Sequence, residues 1–496
     1  MGREEQIIEN RIRKIKELRE QGINPYPSKF GFKNHSDEIY AKYKKLPKDK
    51  ITKDKVSIAG RIIIKRDLGK ISFATIQDSR GKIQLLSQEG KTSEKTREFF
   101  KRYVDSGDFI GVNGVIAKTK TGELSVLIHK VEILSKAILP LPEKWHGLQD
   151  EEEKFRKRYL DILTNPEIKE LFIKKSVFWS TIRNFLLEKG FLEVETPVLE
   201  TSAGGAAATP FKTHHNSLDI DVYLRISMGE LWQKKLMVAG YDKTFEIGRQ
   251  FRNEGIDMEH LQDYTQMEFY WAYADYKDGM KLVQEMYKRV AKAVLGKLKF
   301  ETHGYKVDLS GKWQEYDYEK TIKKYTGIEI YKSDAHEIRK KLDSLKIEYK
   351  ESADKWRLVD ALWKYCRKKL AGPGFLINQP VEISPLAKRS EKDNRKVEQF
   401  QVIIAGTEMG NGYSELNDAL DQEERFREQT ALKEAGDKES MEHDKGFVEA
   451  LKYGMPPTCG FGVSERLFAY LVDKPVRECV IFPLVKPEAE GIKKEK

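Results

Sequence analysis

The chain has 496 residues, 39% of them hydrophobic and 34% charged, with a formal charge of +10. That length provides for two to four domains with cores of their own, and the composition excludes a disordered or collagen-like chain. No run approaches the ~20 apolar residues of a membrane span, and the positive balance favours a polyanionic partner, nucleic acid first.

The N-terminus, MGREEQIIENRIRKIKEL, is charged throughout and has no apolar signal region. Cys366, Cys459 and Cys479 are too few and too scattered for a disulfide framework or a zinc knuckle. Both features predict a cytoplasmic protein that carries no zinc and makes no use of a membrane. Cys459 reads as a small buried thiol rather than a nucleophile.

Ile7, Ile8, Ile12, Ile15 and Leu18 recur at helical spacing, predicting an amphipathic helix over residues 5–20, ended by Gly22 and Pro25. It belongs to an N-terminal helical extension over 1–54. From Lys55 the pattern changes to short alternating strands with Gly- and Asp-containing turns, and a helix-like stretch, Glu94 to Asp105, follows the third strand. Five strands with that helix predict an OB-fold barrel over 55–136, a surface that binds single-stranded nucleic acid by stacking and edge hydrogen bonds. Phe73 and Gln84 alternate onto its open face, and the turn at Glu123 comes near.

A proline-containing linker over 137–160 leads to a second domain, 161–490, which opens with a helix from Ile168 to Lys189 and the strand-like FLEVETPVLE. Thr201 to Ala208 is small and glycine-rich, suited to close backbone approach. Phe245–Ile247 and Thr265–Tyr273 then read as two strands of a hairpin with a polar loop between them. Period-two alternation puts Gln266, Glu268 and Tyr270 on one face and Met267 with Phe269 on the other, while Arg252 and Glu254 lie near the loop mouth. A guanidinium for a phosphate beside inward carboxylates for a cation suits a site that joins a nucleotide to a cationic ligand. Residues 277–375 read as Lys- and Glu-rich helical stretches with nothing assignable to chemistry. Near the end, Gly460 and Gly462 in TCGFGVSERL would let the backbone approach a nucleotide.

The phrase FRNEG, Phe251 to Gly255, followed by His260, resembles motif 2 of the class II aminoacyl-tRNA synthetases, and MEFYWAYADY resembles the lysyl-tRNA synthetases of bacterial type in particular. The Ile168–Glu200 region is similar to motif 1, GFGVSERL to motif 3, and the resemblance extends over nearly the whole chain. It implies an α+β protein: an OB-fold anticodon-binding barrel followed by an antiparallel-sheet catalytic domain with helices, 277–375 being an insertion between motifs 2 and 3. It implies a homodimer built on motif 1, with ATP, L-lysine and tRNA(Lys) as partners and Mg²⁺ as cofactor. The expected reaction forms lysyl-adenylate and then lysyl-tRNA.

The resemblance assigns roles as follows. Arg252 and Arg466 are the catalytic residues, holding the α- and γ-phosphates. Glu254, His260, Tyr264 and Glu408 complete the ATP site. Gly205, Glu230, Glu268, Tyr270, Asn411, Tyr413 and Glu415 line the lysine site, and Phe73, Gln84 and Glu123 read the anticodon. Departures from the family pattern mark a divergent branch. Ser227-Met228-Gly229 replaces a two-residue Ala-Pro before Glu230, motif 3 is one residue shorter, and the usual arginine before Glu408 is Thr407. Glu408 remains a metal ligand, whereas the carboxylate expected seven residues earlier is the amide Gln401. A lysyl transferase acting on an elongation factor lacks the barrel; a non-enzymatic RNA-binding paralogue would have lost Arg252 or Arg466. The aspartyl and asparaginyl enzymes share the layout but need a cationic pocket.

Overall fold

The structure, a computed structural model, describes residues 2–142, 150–202, 208–255, 257, 259–434 and 444–487. The chain divides into two compact units, Met1–Gln149 and Asp150–Lys496.

In the first unit, helices α1 (Arg3–Glu20) and α2 (Ser36–Tyr43) precede strands β1 (Ile51–Leu68), β2 (Ile71–Gln77) and β3 (Lys82–Gln88). Helix α3 (Glu94–Tyr103), β4 (Phe109–Lys118) and β5 (Leu124–Ser135) complete it. The strands close into a barrel in the order β1-β2-β3-β5-β4. Alternation decides what faces where: Ser72, Ala74 and Ile76 of β2 are buried, while Phe73 and Thr75 point outward. Strand β1 begins at Ile51, before the visible alternation, because Ile51 still finds a partner in Ala117 across an irregularity in the ladder. Leu18 of α1 and Ile39 of α2 are buried in the same apolar cluster as the barrel interior.

The second unit is built on an eight-stranded sheet. Helix α4 (Pro166–Glu188) leads into the short β6 (Leu192–Glu193), and α5 (Glu230–Val238) precedes the hairpin β7 (Lys243–Phe251) and β8 (Asp263–Ala272). Helix α6 (Tyr276–Leu295) follows, then edge strand β9 (Gln314–Asp317), helix α7 (Lys355–Arg367) and β10 (Gly374–Ile377). Strands β11 (Gln399–Ile404), β12 (Thr407–Ser414) and β13 (Thr458–Ser464) end at α8 (Arg466–Leu471). The sheet order is β9-β10-β11-β12-β13-β8-β7-β6, antiparallel except for its outermost pair on each side. The stretch from 277 to 375 contributes strands as well as helices: the hairpin Lys299–Asp308 and the edge strand β9.

One face of this sheet is the core. Phe269, Phe461 and Phe400, from three strands, are each 3% exposed or less and share one apolar cluster with Phe178, Val283 and Met286 of α4 and α6. The opposite face is therefore the only one left to polar side chains of the same strands, and it carries Glu268, Tyr270, Asn411, Tyr413 and Gln401. Among the described residues no helix is long and apolar enough to cross a membrane.

Candidate active site

The polar face lines a cavity of about 750 Å³. Its floor follows from register. Glu268 of β8 pairs with Gly462 of β13, which pairs with Asn411 of β12, which pairs with Gln401 of β11. In the next row Tyr270 faces Gly460, and Gly460 faces Tyr413. Each row thus has a glycine at its centre, flanked by polar side chains that lean over the gap. A Cβ at Gly460 would lie 2.0 Å from Glu415 Oε1 and 2.9 Å from the Tyr270 ring; one at Gly462 would lie 3.3 Å from Glu268 Cγ. Within the protein, the close approach these glycines permit is to the side chains of Glu268, Tyr270 and Glu415.

The carboxylates are buried and held. Glu415 is 2% exposed, and its Oε2 lies 2.5 Å from Nζ of Lys234, a fully buried lysine of α5. Lys234 also sits over the rings of Tyr413 (5.6 Å) and Phe447 (5.4 Å). Glu268, 4% exposed, accepts from the Met228 backbone N–H (3.1 Å), Gln266 Nε2 (2.6 Å) and the Tyr270 hydroxyl (3.4 Å). The altered segment before Glu230 therefore has a defined task. Gly229 adopts φ +81°, a conformation glycine reaches without strain, and the adjoining Met228 amide grips Glu268. Across from Glu268 on the neighbouring strand β7, Glu246 is paired with Arg225 at 2.7 Å.

At the other end of the cavity, Arg252 lies with its guanidinium carbon 5.7 Å from the Tyr264 ring centre, and burial raises the Tyr264 phenol so that it stays protonated. Arg466 Nη2 donates to the Glu408 carbonyl at 2.6 Å, and Nη1 lies 3.6 Å from Glu259. Glu254 accepts from the Thr209 backbone N–H at 3.3 Å, and His260 is held by Asp257 at 2.9 Å. All of Arg252, Glu254, His260, Tyr264, Glu268, Tyr270, Glu408, Asn411, Tyr413, Glu415 and Arg466 line this one cavity. Gly205 lies outside the described residues; Glu230 opens α5, its side chain also outside them. In the barrel unit, Phe73 and Gln84 line a separate groove of about 850 Å³ with Arg66, Lys91 and the 119–121 turn. Glu123 follows that turn and accepts from the Tyr40 hydroxyl of α2 at 3.1 Å.

The comparisons with known proteins agree with this geometry. Residues 150–486 match the family model of class II tRNA synthetases (D, K and N), and residues 56–134 match the OB-fold nucleic acid binding domain. The chain is similar to the lysine–tRNA ligase of Thermosipho africanus, 42% identical over 482 residues that cover 97% of this chain and 96% of that protein. The lysine–tRNA ligase of Thermotoga maritima is 43% identical over 483 residues, 97% and 96% of the two chains. That of Fervidobacterium nodosum is 43% identical over 484 residues, 97% and 94%. The chain belongs to the lysine–tRNA ligase family of class II aminoacyl-tRNA synthetases.

The expected Mg²⁺ finds a poor match in the donor set of this family member. Gln401 presents a neutral amide, and Glu408 Oε1 already accepts from Trp363 Nε1 at 2.7 Å and lies 3.3 Å from Arg367 Nη1. Among the described residues no cluster of three or more His, Cys, Asp or Glu is placed to hold a metal ion. The residues present do not form a cation site of two carboxylates. Sequence reasoning also missed Lys234, Glu259, Trp363 and Arg367. Lys234 left a trace as a lysine on the buried side of the ELWQKKL helix, and Glu259 as the neighbour of His260 in the hairpin loop; Trp363 and Arg367 come from a segment with no local motif.

Gly460→Ala should force Glu415 and Tyr270 out of place, costing about 1–3 kcal/mol, the usual scale of overpacking. Urea unfolding of the variant checks this; an unchanged midpoint would mean that the glycine rows do not shape the pocket.

Proposed function

We propose that the cavity activates lysine with ATP and passes the lysyl group to the 3′ end of tRNA(Lys). The observation that carries this is the pair of buried carboxylates, Glu268 and Glu415, closing on one side of a cavity whose other side holds Arg252 and Arg466. Two carboxylates around a single pocket, with one lysine between them and the protein, favour a ligand that brings a side-chain ammonium over one with a neutral side chain.

In the first step a lysine carboxylate oxygen bonds to the α-phosphorus of ATP while the bond to the bridging oxygen breaks, its electron pair leaving with pyrophosphate. In the second, the terminal ribose hydroxyl takes the lysyl group and AMP departs. Substrate supplies both nucleophiles, so positioning and charge stabilisation are what the protein adds. Arg252 holds the α-phosphate as charge builds there, and Arg466 holds the γ-phosphate. Tyr264 stacks on adenine, Glu254 accepts from its amino group, and His260 stands by the pyrophosphate. Glu268, Glu415 and Tyr270 surround the ε-ammonium, with Asn411 and Tyr413 lining the rest; Gly205 and Glu230 take the α-amino end. Lys234 orients Glu415 by occupying Oε2, which turns Oε1 toward Tyr270. Mg²⁺ accompanies ATP as its counter-ion.

Phe73 offers an aromatic face for stacking an anticodon base, and Gln84 and Glu123 offer hydrogen bonds to its edge. This reading sets the protein in the cytoplasm with the translation machinery. It also makes the protein a homodimer through the motif 1 region, supported by the exposed Ile173, Leu187, Leu192 and Leu199 there, each between 47% and 49% accessible.

Lysine-dependent ATP–pyrophosphate exchange, run in parallel with aspartate and asparagine, tests the assignment. Glu268→Gln should weaken lysine by on the order of 2–5 kcal/mol, the scale for breaking a buried charge pair; unchanged lysine affinity would remove Glu268 from the pocket. Sedimentation of the full chain should give a dimer, and Leu192→Asp with Leu199→Asp a monomer; a monomeric parent would refute the interface.

A further inference from the structure

Three cations reach the phosphate end of the cavity from a segment with no assigned chemistry. Helix α7 presents Arg357, Lys364 and Arg367 to it, spaced two turns and then one turn apart along a single face. The other face of α7, with Leu358, Val359, Leu362 and Cys366, is fully buried in an apolar cluster, so the helix cannot rotate those cations away.

Glu408 ties this helix to the site already described. Its side chain takes Trp363 and Arg367 of α7, while its backbone carbonyl takes Arg466 of α8. Arg367 and Arg466 thus flank one residue. The Arg367 side chain lines the cavity and is 20% exposed, so part of its guanidinium stays open to something that enters. Lys364, nearer solvent, pairs with Asp360 at 2.8 Å.

We propose that this face of α7 is the seat of the departing pyrophosphate, with Arg367 as its inner ligand and Lys364 and Arg357 as its outer ones. The inference rests on the lysine-activating reading above. In that step the electron pair of the broken phosphorus–oxygen bond goes to pyrophosphate, whose growing charge needs donors fixed in advance. A two-carboxylate cation site does not fit Gln401 and the engaged Glu408, and the guanidinium and ammonium groups of α7 supply positive charge there instead.

The test is lysine-dependent ATP–pyrophosphate exchange by the full-length chain and by Arg367→Gln and Lys364→Gln, over a range of pyrophosphate and Mg²⁺ concentrations, with a thermal melt of each. Arg367→Gln should raise the KM for pyrophosphate about tenfold or more, the scale of one charge-assisted hydrogen bond, and leave the KM for lysine within about twofold. Lys364→Gln should raise it less, and both variants should need more Mg²⁺ than the parent. If Arg367→Gln melts early, the exposed Lys364→Gln decides alone. Unchanged pyrophosphate KM values beside an active parent would overturn the inference and spare the reading beneath it. A parent with no lysine-dependent exchange would overturn both.

Discussion

Carboxylates taken out of water must have their charge met by fixed groups, and this site keeps three under one sheet face. Glu246 is met by Arg225, Glu415 by Lys234, and Glu268 accepts from a backbone amide, a glutamine and a tyrosine. The arrangement works because two glycines at the centre of the sheet leave room for acidic side chains from either side. The segment before Glu230 takes part as well, its Met228 amide donating to Glu268. Removing one member of such a network strands its partner, so the pocket and the local fold stand or fall together.

The same sheet separates its two charges in space. Acidic groups gather over the β8–β13–β12 rows, and arginines stand at the loop mouth of the hairpin and the start of α8. A ligand with an ammonium at one end and a phosphate at the other would fit that arrangement in one orientation. Rigidity comes from beneath, where stacked phenylalanines of three strands bind the floor to α4 and α6.

Much of this was legible in the sequence. Period-two alternation assigned Gln266, Glu268 and Tyr270 to one face, and the hairpin follows that assignment residue by residue. The barrel's five strands and the helix after the third were legible from alternation and turn residues. Pairings between distant segments were not. That Gly460 lies between Tyr270 and Tyr413 depends on a register that no local pattern encodes. The Lys/Arg face of α7 reads as an ordinary solvated helix, and only packing of its apolar side against a cluster that includes Ile322, Ile338 and Leu342 turns those cations inward. Lys234 is the sharpest case, since a buried lysine is rare without a partner and its partner lies far along the chain.

The central claim is that an amine sits between Glu268 and Glu415 while Arg252 grips the adjoining phosphate. A crystal structure of the chain with a non-hydrolysable lysyl-adenylate analogue tests it most directly. The account predicts the ε-ammonium within hydrogen-bonding reach of both carboxylates and Tyr270, with the Arg252 guanidinium on the phosphate. An analogue bound with its ammonium away from Glu415, or with Arg252 turned from the phosphate, would contradict it.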